Sequence, residues 1–214
     1  MKELVVNSII NNINKYYKYD EIKIKEIKYG IESIYLTITK TIIVFIISIF
    51  INTTRELLLF TLFYGLLRLT AFGLHAKKSW HCWVLSLTLF SIIPYLIKVL
   101  IINKFITLII FIICTILFSI YAPADTEKRP LIHKKKRIIY KILTITISII
   151  YFIITNYSTY IIVNSLIFAV IMQTLMILPI SYKLLGLKYD NYKSYRKGGK
   201  IWNYWLVCLH FLVL

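Results

Sequence analysis

Apolar residues dominate six stretches of the chain, roughly 33–52, 57–74, 82–102, 105–122, 141–157 and 160–182, separated by basic or short polar links. A spanning helix needs about 20 mostly apolar residues, fewer where long flanking side chains snorkel. The pattern therefore predicts an all-α, polytopic integral membrane protein with about six transmembrane helices, four to seven bounding the count. The first and fifth runs carry the weakest signal. Only Thr41 to Thr54 of the first is free of charge, so Lys40 must snorkel or face protein. Asn156 to Thr159 is the polar, turn-compatible gap between the last two runs.

The first 30 residues read differently. Leu4, Val5, Ile9, Ile10, Ile13, Tyr16 and Tyr17 recur at steps of three and four with Asn and Lys between them. That spacing suits an amphipathic helix lying in the membrane interface, or one docked on the protein. At the other end Ile201 to Leu214 is apolar but too short to span comfortably. Trp202, Tyr204 and Trp205 suit an interfacial anchor. The expected organisation is an interfacial segment over 1–30, a six-helix transmembrane domain over 31–182 with a basic loop at 123–140, and a basic tail over 183–214.

Composition agrees with lipid as solvent: 59% of the 214 residues are hydrophobic, against roughly 45–50% in ordinary soluble domains. The net charge of +17 also fits nucleic-acid binding in principle, which would need lysines on one face of a folded domain. Here they fall in blocks between apolar runs, so nucleic acid is not an expected partner. With six spans, 21 of the 26 basic residues share one side. The positive-inside rule places that side, with both termini, in the cytoplasm. Three cysteines, Cys82, Cys114 and Cys208, offer no paired spacing for a disulfide framework or a metal site.

The stretch "AFGLHAKKSWHC", residues 71–82, puts imidazole, thiol and ammonium groups at this basic boundary. On one continuous helix His75 and Cys82 would be about 10.5 Å apart along the axis, too far for a hydrogen bond. Gly73 and the polar Lys77-Lys78-Ser79 make a break plausible, letting His75 fold back over the start of the third span. Cys82 near a helix N-terminus, beside Lys77 and Lys78, has the surroundings that favour a thiolate. Histidine would take the proton that an unassisted cysteine keeps at neutral pH. The plainer reading makes His75 an interfacial histidine and Cys82 a small hydrophobe. His81 adjoins Cys82, and side chains adjacent on a helix diverge by about 100°, a poor geometry for a base. His75, His81 and Cys82 lack an evident fourth ligand for zinc, so no metal and no cofactor is expected.

Arg68 lies inside the second span, where an arginine usually has a partner or faces a polar cavity. It could hold a carboxylate, with Glu32 one possibility, or snorkel to the surface. Cys114, amid "FIICTIL", reads as a buried hydrophobe, and His133 as a solvated loop residue. The loop "YAPADTEKRPL" from Tyr121 to Leu131 is punctuated by Pro123 and Pro130, with Asp125 or Thr126 able to cap a short turn. It brings carboxylates and cations to the same side as Cys82.

These motifs, Arg68 to Ala76 followed by Ser79 and Cys82, then Tyr121 to Leu131, with "KYGIES" at 28–33 a weaker third, resemble the accessory gene regulator B family of bacterial membrane endopeptidases. The resemblance runs to about residue 185 and leaves the tail unmatched. It implies a cysteine peptidase with Cys82 as nucleophile and His75 as its histidine, supported by Arg68, Gly73 and Ser79. The substrate it implies is a small amphipathic signal propeptide of accessory gene regulator D type, in a quorum-sensing system. Cleavage would leave the peptide's N-terminal part as a thioester on the enzyme, and an internal peptide cysteine would then close a thiolactone. It also implies the cell membrane of a Gram-positive bacterium and a homodimer, while the positive-inside rule puts His75 and Cys82 at the cytoplasmic boundary. Many relatives have Gly-Gly where this chain has Phe72-Gly73. Two other classes stay open: a small exporter, which needs ionisable groups deep in several spans, and a non-catalytic scaffold, in which Cys82 would be unreactive.

Overall fold

A computed structural model of the chain describes residues 2–16, 19–74, 79–126 and 131–193, with only the backbone for Lys2, Ile22, Glu26 and 79–82. Eight helices occupy these residues: α1 (Lys2–Tyr16), α2 (Glu21–Phe50), α3 (Thr54–Ala71), α4 (Ser79–Val99), α5 (Lys104–Tyr121), α6 (Lys134–Thr155), α7 (Tyr160–Ile177) and α8 (Pro179–Leu184). No strand occurs among the described residues, where an isolated parallel bridge joins Phe72 to Ala124.

Six long helices, α2 to α7, stand where the six apolar runs were expected, but they are not equivalent. Four are long and apolar enough to cross a membrane by length and composition: Lys23–Phe50, Lys104–Tyr121, Lys134–Thr155 and Tyr160–Ile177. These include both runs that looked weakest. The helix that falls short on charge is α3, which carries Arg55, Glu56 and Arg68. In α4 the apolar helix with described side chains, Trp83–Val99, is shorter than a full span.

The boundaries have local causes. α2 starts ten residues before the expected edge, because the Asp20 carboxylate accepts from the Glu21 N–H at 2.8 Å and caps it. The 1–30 segment thus holds α1 and the first turns of α2. α6 begins at Lys134, since lysine and arginine are good helix formers even where hydropathy is low. α7 stops at Ile177, because Pro179 cannot continue it and opens α8 instead.

α7 is the central helix. It packs on α3, α4, α5, α6 and α8, and its apolar residues point all round rather than along one stripe. Leu166, Ile167, Ala169, Val170 and Ile177 are fully buried. Across α3 and α4, Phe60 stacks on Tyr64 with centroids 5.6 Å apart and tilts against Phe90 at 5.2 Å. Polar side chains tie helices together. The Asn164 amide donates to the Ile97 and Leu100 carbonyls at 3.0 and 2.6 Å, satisfying the C-terminal end of α4. Thr115 and Ser148 share a 2.8 Å hydroxyl bond between α5 and α6, a contact worth on average about 0.6 kcal/mol inside membranes. Lys40 faces protein: it is buried, with Nζ 3.4 Å from the Ser86 hydroxyl of α4. The outer surface is apolar, with Ile42, Ile112, Ile116, Ile142 and Ile153 each about half exposed.

Candidate active site

The chain does not run as one helix from Arg68 to Cys82. α3 ends at Ala71, and Phe72, Gly73 and Leu74 leave it in irregular conformation before α4 opens at Ser79. The break comes from backbone geometry that hydropathy does not report. Phe72 has φ +56° and Gly73 φ +122°, a region that L side chains seldom enter. Phe72 in such a position costs roughly 1–3 kcal/mol, so the surroundings must over-determine it.

They do so with hydrogen bonds from three directions. From α3, Arg68 Nη1 donates to the Phe72 carbonyl at 2.8 Å and Nη2 to the Leu74 carbonyl at 2.7 Å. From α7, Gln173 Nε2 donates to the same Phe72 carbonyl at 2.6 Å, and the Leu74 N–H donates to the Met176 carbonyl at 3.0 Å. From the loop after α5, the Ala124 N–H donates to Ala71 O at 3.0 Å and the Gly73 N–H to Ala124 O at 2.9 Å. The Phe72 ring lies edge-on against Tyr140, centroids 5.0 Å apart. Gly73 is required here on two counts. Its φ is positive, and a Cβ would come within 2.5 Å of Arg68 Nη1 and 2.7 Å of Met176 O.

The two motifs that stood 50 residues apart in the sequence therefore meet. Arg68 is buried and turns inward, each of its terminal nitrogens donating to a backbone carbonyl of the turn. Asp125 likewise turns inward. It is 2% exposed, and its Oδ2 accepts from the Tyr192 and Leu131 N–H groups at 2.8 and 3.3 Å while Oδ1 accepts from Asn191 N–H at 3.1 Å. The Tyr182 hydroxyl donates to the Asp125 carbonyl at 3.1 Å. Burial pushes the Asp125 carboxyl above its usual range, while the Tyr192 N–H, the Arg137 charge and the other two N–H groups pull it back. Burial also raises the Tyr182 hydroxyl, and it raises that of Tyr189 to about 12. Asp125 thus fastens the start of the C-terminal tail to the loop that holds Gly73.

His75, Lys77 and Lys78 lie outside the described residues, as do 127–130 and the anchor at 201–214. The helix carries Ser79, His81 and Cys82 in the first turn of α4, with only their backbone described. Gly73 and Arg68 are thus placed at the exit of α3, one and several residues ahead of His75's neighbour Leu74. Cys114 is buried in the core, as its apolar neighbours suggested. His133 is exposed and precedes α6 without capping it through its side chain. Gln173 was not singled out from the sequence. Its signal was legible, a lone amide in the apolar run "IMQTLMI". Its Oε1 is buried without a hydrogen-bond partner among the described residues.

This is an all-helical protein with membrane-length apolar helices, built around a hydrogen-bonded turn at the head of a His…Cys segment. It belongs to the accessory gene regulator B family: the family described as Accessory gene regulator B matches residues 4–177. A "Putative AgrB-like protein" of Clostridium acetobutylicum is 36% identical over 193 residues, 88% of this chain and 90% of its own. One from Listeria innocua is 34% identical over 185 residues, 84% of this chain and 88% of its own. The "Accessory gene regulator protein B" of Staphylococcus epidermidis is 36% identical over 167 residues, 76% of this chain and 84% of its own. No solved structure matches significantly.

Proposed function

We propose that the chain is a membrane cysteine endopeptidase that cuts a small amphipathic signal propeptide from the cytoplasmic face and starts its closure into a thiolactone. The observation that carries this reading is the built break between α3 and α4. The chain is clamped through Leu74, one residue before His75, and resumes as helix with Cys82 in its first turn. A thiol in a first helical turn meets the positive end of the helix dipole, and Lys77 and Lys78 add charge of the same sign nearby in sequence.

In the proposed reaction the His75 imidazole takes the Cys82 proton. The thiolate attacks the scissile carbonyl carbon, forming the C–S bond, and the imidazolium returns the proton to the leaving amide nitrogen as the C–N bond breaks. The peptide's C-terminal part leaves as a free amine, and its N-terminal part stays as a thioester on Cys82. An internal peptide thiol then attacks that thioester. One C–S bond forms as another breaks, and Cys82 recovers its proton. Exchange between thioesters is nearly balanced, so positioning of the peptide thiol and exclusion of water decide between ring closure and hydrolysis. Arg68, Gly73, Gln173 and Asp125 act as positioning residues, and Ser79 opens the helix that carries Cys82. No metal or cofactor is part of this scheme.

The orientation proposed with it has six spans, both termini and all three large basic blocks in the cytoplasm, and the active site at that boundary. The exporter reading is less well supported. The polar groups within the helices are committed to protein: Lys40 to Ser86, Asn164 to the end of α4, and the Gln173 amide nitrogen to Phe72.

The test is capture of the intermediate. A peptide of about 50 residues with an internal cysteine and an acidic end, lacking that cysteine in a Cys→Ala variant, is added to the membrane-inserted protein. Intact-mass measurement is expected to show its N-terminal part bound to Cys82 and released by hydroxylamine. Cleavage without any hydroxylamine-labile adduct would overturn the thioester step.

A further inference from the structure

Beside the Asp125 loop a cavity of about 270 Å³ opens at the start of α6. Its apolar wall is Ala122, Pro123, Ile132 and Ile138, and its polar wall is Lys134, Arg137 and Lys141, closed by Tyr192. Arg137 is arranged as an anion receptor. Its Cζ lies 3.4 Å from the centre of the Tyr192 ring, so a face of the guanidinium is occupied while the donors in its plane are not consumed by the stack. Its Nη1 is buried and has no hydrogen-bond partner among the described residues. Lys141 gives one proton to Ser119 O at 2.7 Å, leaving two of its three donors. The Asp125 carboxylate feels the Arg137 charge, and its oxygens accept from backbone N–H groups. Among the described residues, an incoming anion meets Lys134, Arg137 and Lys141 on the cavity wall and an Asp125 carboxylate already engaged.

We propose that this cavity holds the phosphate of an anionic phospholipid, a role separate from the peptidase reading. The charge calls for a phosphate, and the surroundings call for a phosphate with hydrocarbon attached. Ile138 both lines the cavity and stands half exposed, and Ile139, Ile142 and Leu143 continue the exposed apolar surface along α6. α6 is one of the helices long and apolar enough to cross a membrane. Basic pockets at the cytoplasmic ends of such helices are suited to lipid headgroups, and a planar guanidinium matches a phosphate edge. The site is tied to the turn at Gly73, because Ala122 and Pro123 run directly into Ala124, which pairs with Ala71 and Gly73. A bound headgroup braces that turn from behind.

The experiment compares the full chain with Lys134→Gln/Arg137→Gln and with Lys135→Gln/Lys136→Gln, which removes equal charge from exposed positions outside the cavity wall. Each is reconstituted in mixed phosphatidylglycerol and phosphatidylcholine, exchanged into detergent and weighed intact for retained lipid. The expected result is one phosphatidylglycerol per chain in the wild type and in Lys135→Gln/Lys136→Gln, and at least tenfold less in Lys134→Gln/Arg137→Gln. Arg137→Lys keeps the charge and loses the fork, and falls between. Equal retention by the two double variants would reduce the effect to general surface charge and overturn the site. So would displacement of the lipid, only where Arg137 is present, by inorganic phosphate alone or by an acid-tailed peptide at equal concentration, either of which would reassign the cavity.

Discussion

Cys82→Ala will insert in the membrane in normal amount and cleave no propeptide. His75→Ala will retain a trace, because the helix dipole and the lysines still favour some thiolate without the base. Loss of a general base is worth roughly 10²–10⁴ in rate, whereas loss of the attacking atom removes the path altogether. Cys114 offers no rescue by position, because it is buried in the packed core between α5 and its neighbours. Serine at 82 should be nearly as inactive as alanine, since a hydroxyl keeps its proton far more tightly than a thiol. Cleavage is followed by the release of the acidic C-terminal fragment, with antibody detection of the inserted enzyme as control. Full cleavage by an inserted Cys82→Ala protein would remove the enzyme reading.

The second large effect belongs to a residue that never touches substrate in this account. Gly73→Ala puts a methyl 2.5 Å from Arg68 Nη1 and 2.7 Å from Met176 O, at φ +122°. Carbonyl and guanidinium cannot both retreat without breaking the bonds that hold Phe72 and Leu74. The expected loss is about 100-fold in cleavage, the scale that an ångström of misplacement imposes on a catalytic group. Gly65→Ala is the matched control on the same helix. Nothing lies within 4 Å of a Cβ there, and alanine in a helix interior is favoured over glycine by roughly 0.5–1 kcal/mol, so activity should be unchanged. Arg68→Lys should resemble Gly73→Ala, since a single ammonium cannot reproduce two planar donors on two carbonyls. Unaltered cleavage by Gly73→Ala would mean that the turn does not position His75.

Much of this was legible in the residues and some was not. The apolar runs marked where the long helices stand, because burial in lipid and burial in protein both select the same side chains. They did not mark which helix sits at the centre. α7 differs from α5 in its buried Asn164, Ser165, Gln173 and Thr174, not in hydropathy. Phe72 and Leu74 read as the end of a helix because they are apolar, yet the chain turns there, since Arg68 and Gln173 bind carbonyls that a continuing helix would have used. The boundary signals at Asp20 and Pro179 were present and local. The meeting of Ala124 with Ala71 and Gly73 was not, because backbone pairing leaves no trace in side-chain pattern. Asp125 read as a turn cap in a loop on the same side as Cys82. Its burial depends on three N–H groups from residues 131, 191 and 192, which only the fold brings together.

The most direct test follows alkylation of Cys82 by iodoacetamide against pH, read by mass on the peptide that contains it, in wild type and His75→Ala. The account predicts fast labelling at neutral pH, well below the ordinary thiol value of about 8.5, and a marked slowing at that pH when His75 is removed. A Cys82 that labels only as an ordinary thiol titrates, at the same rate with or without His75, would contradict it.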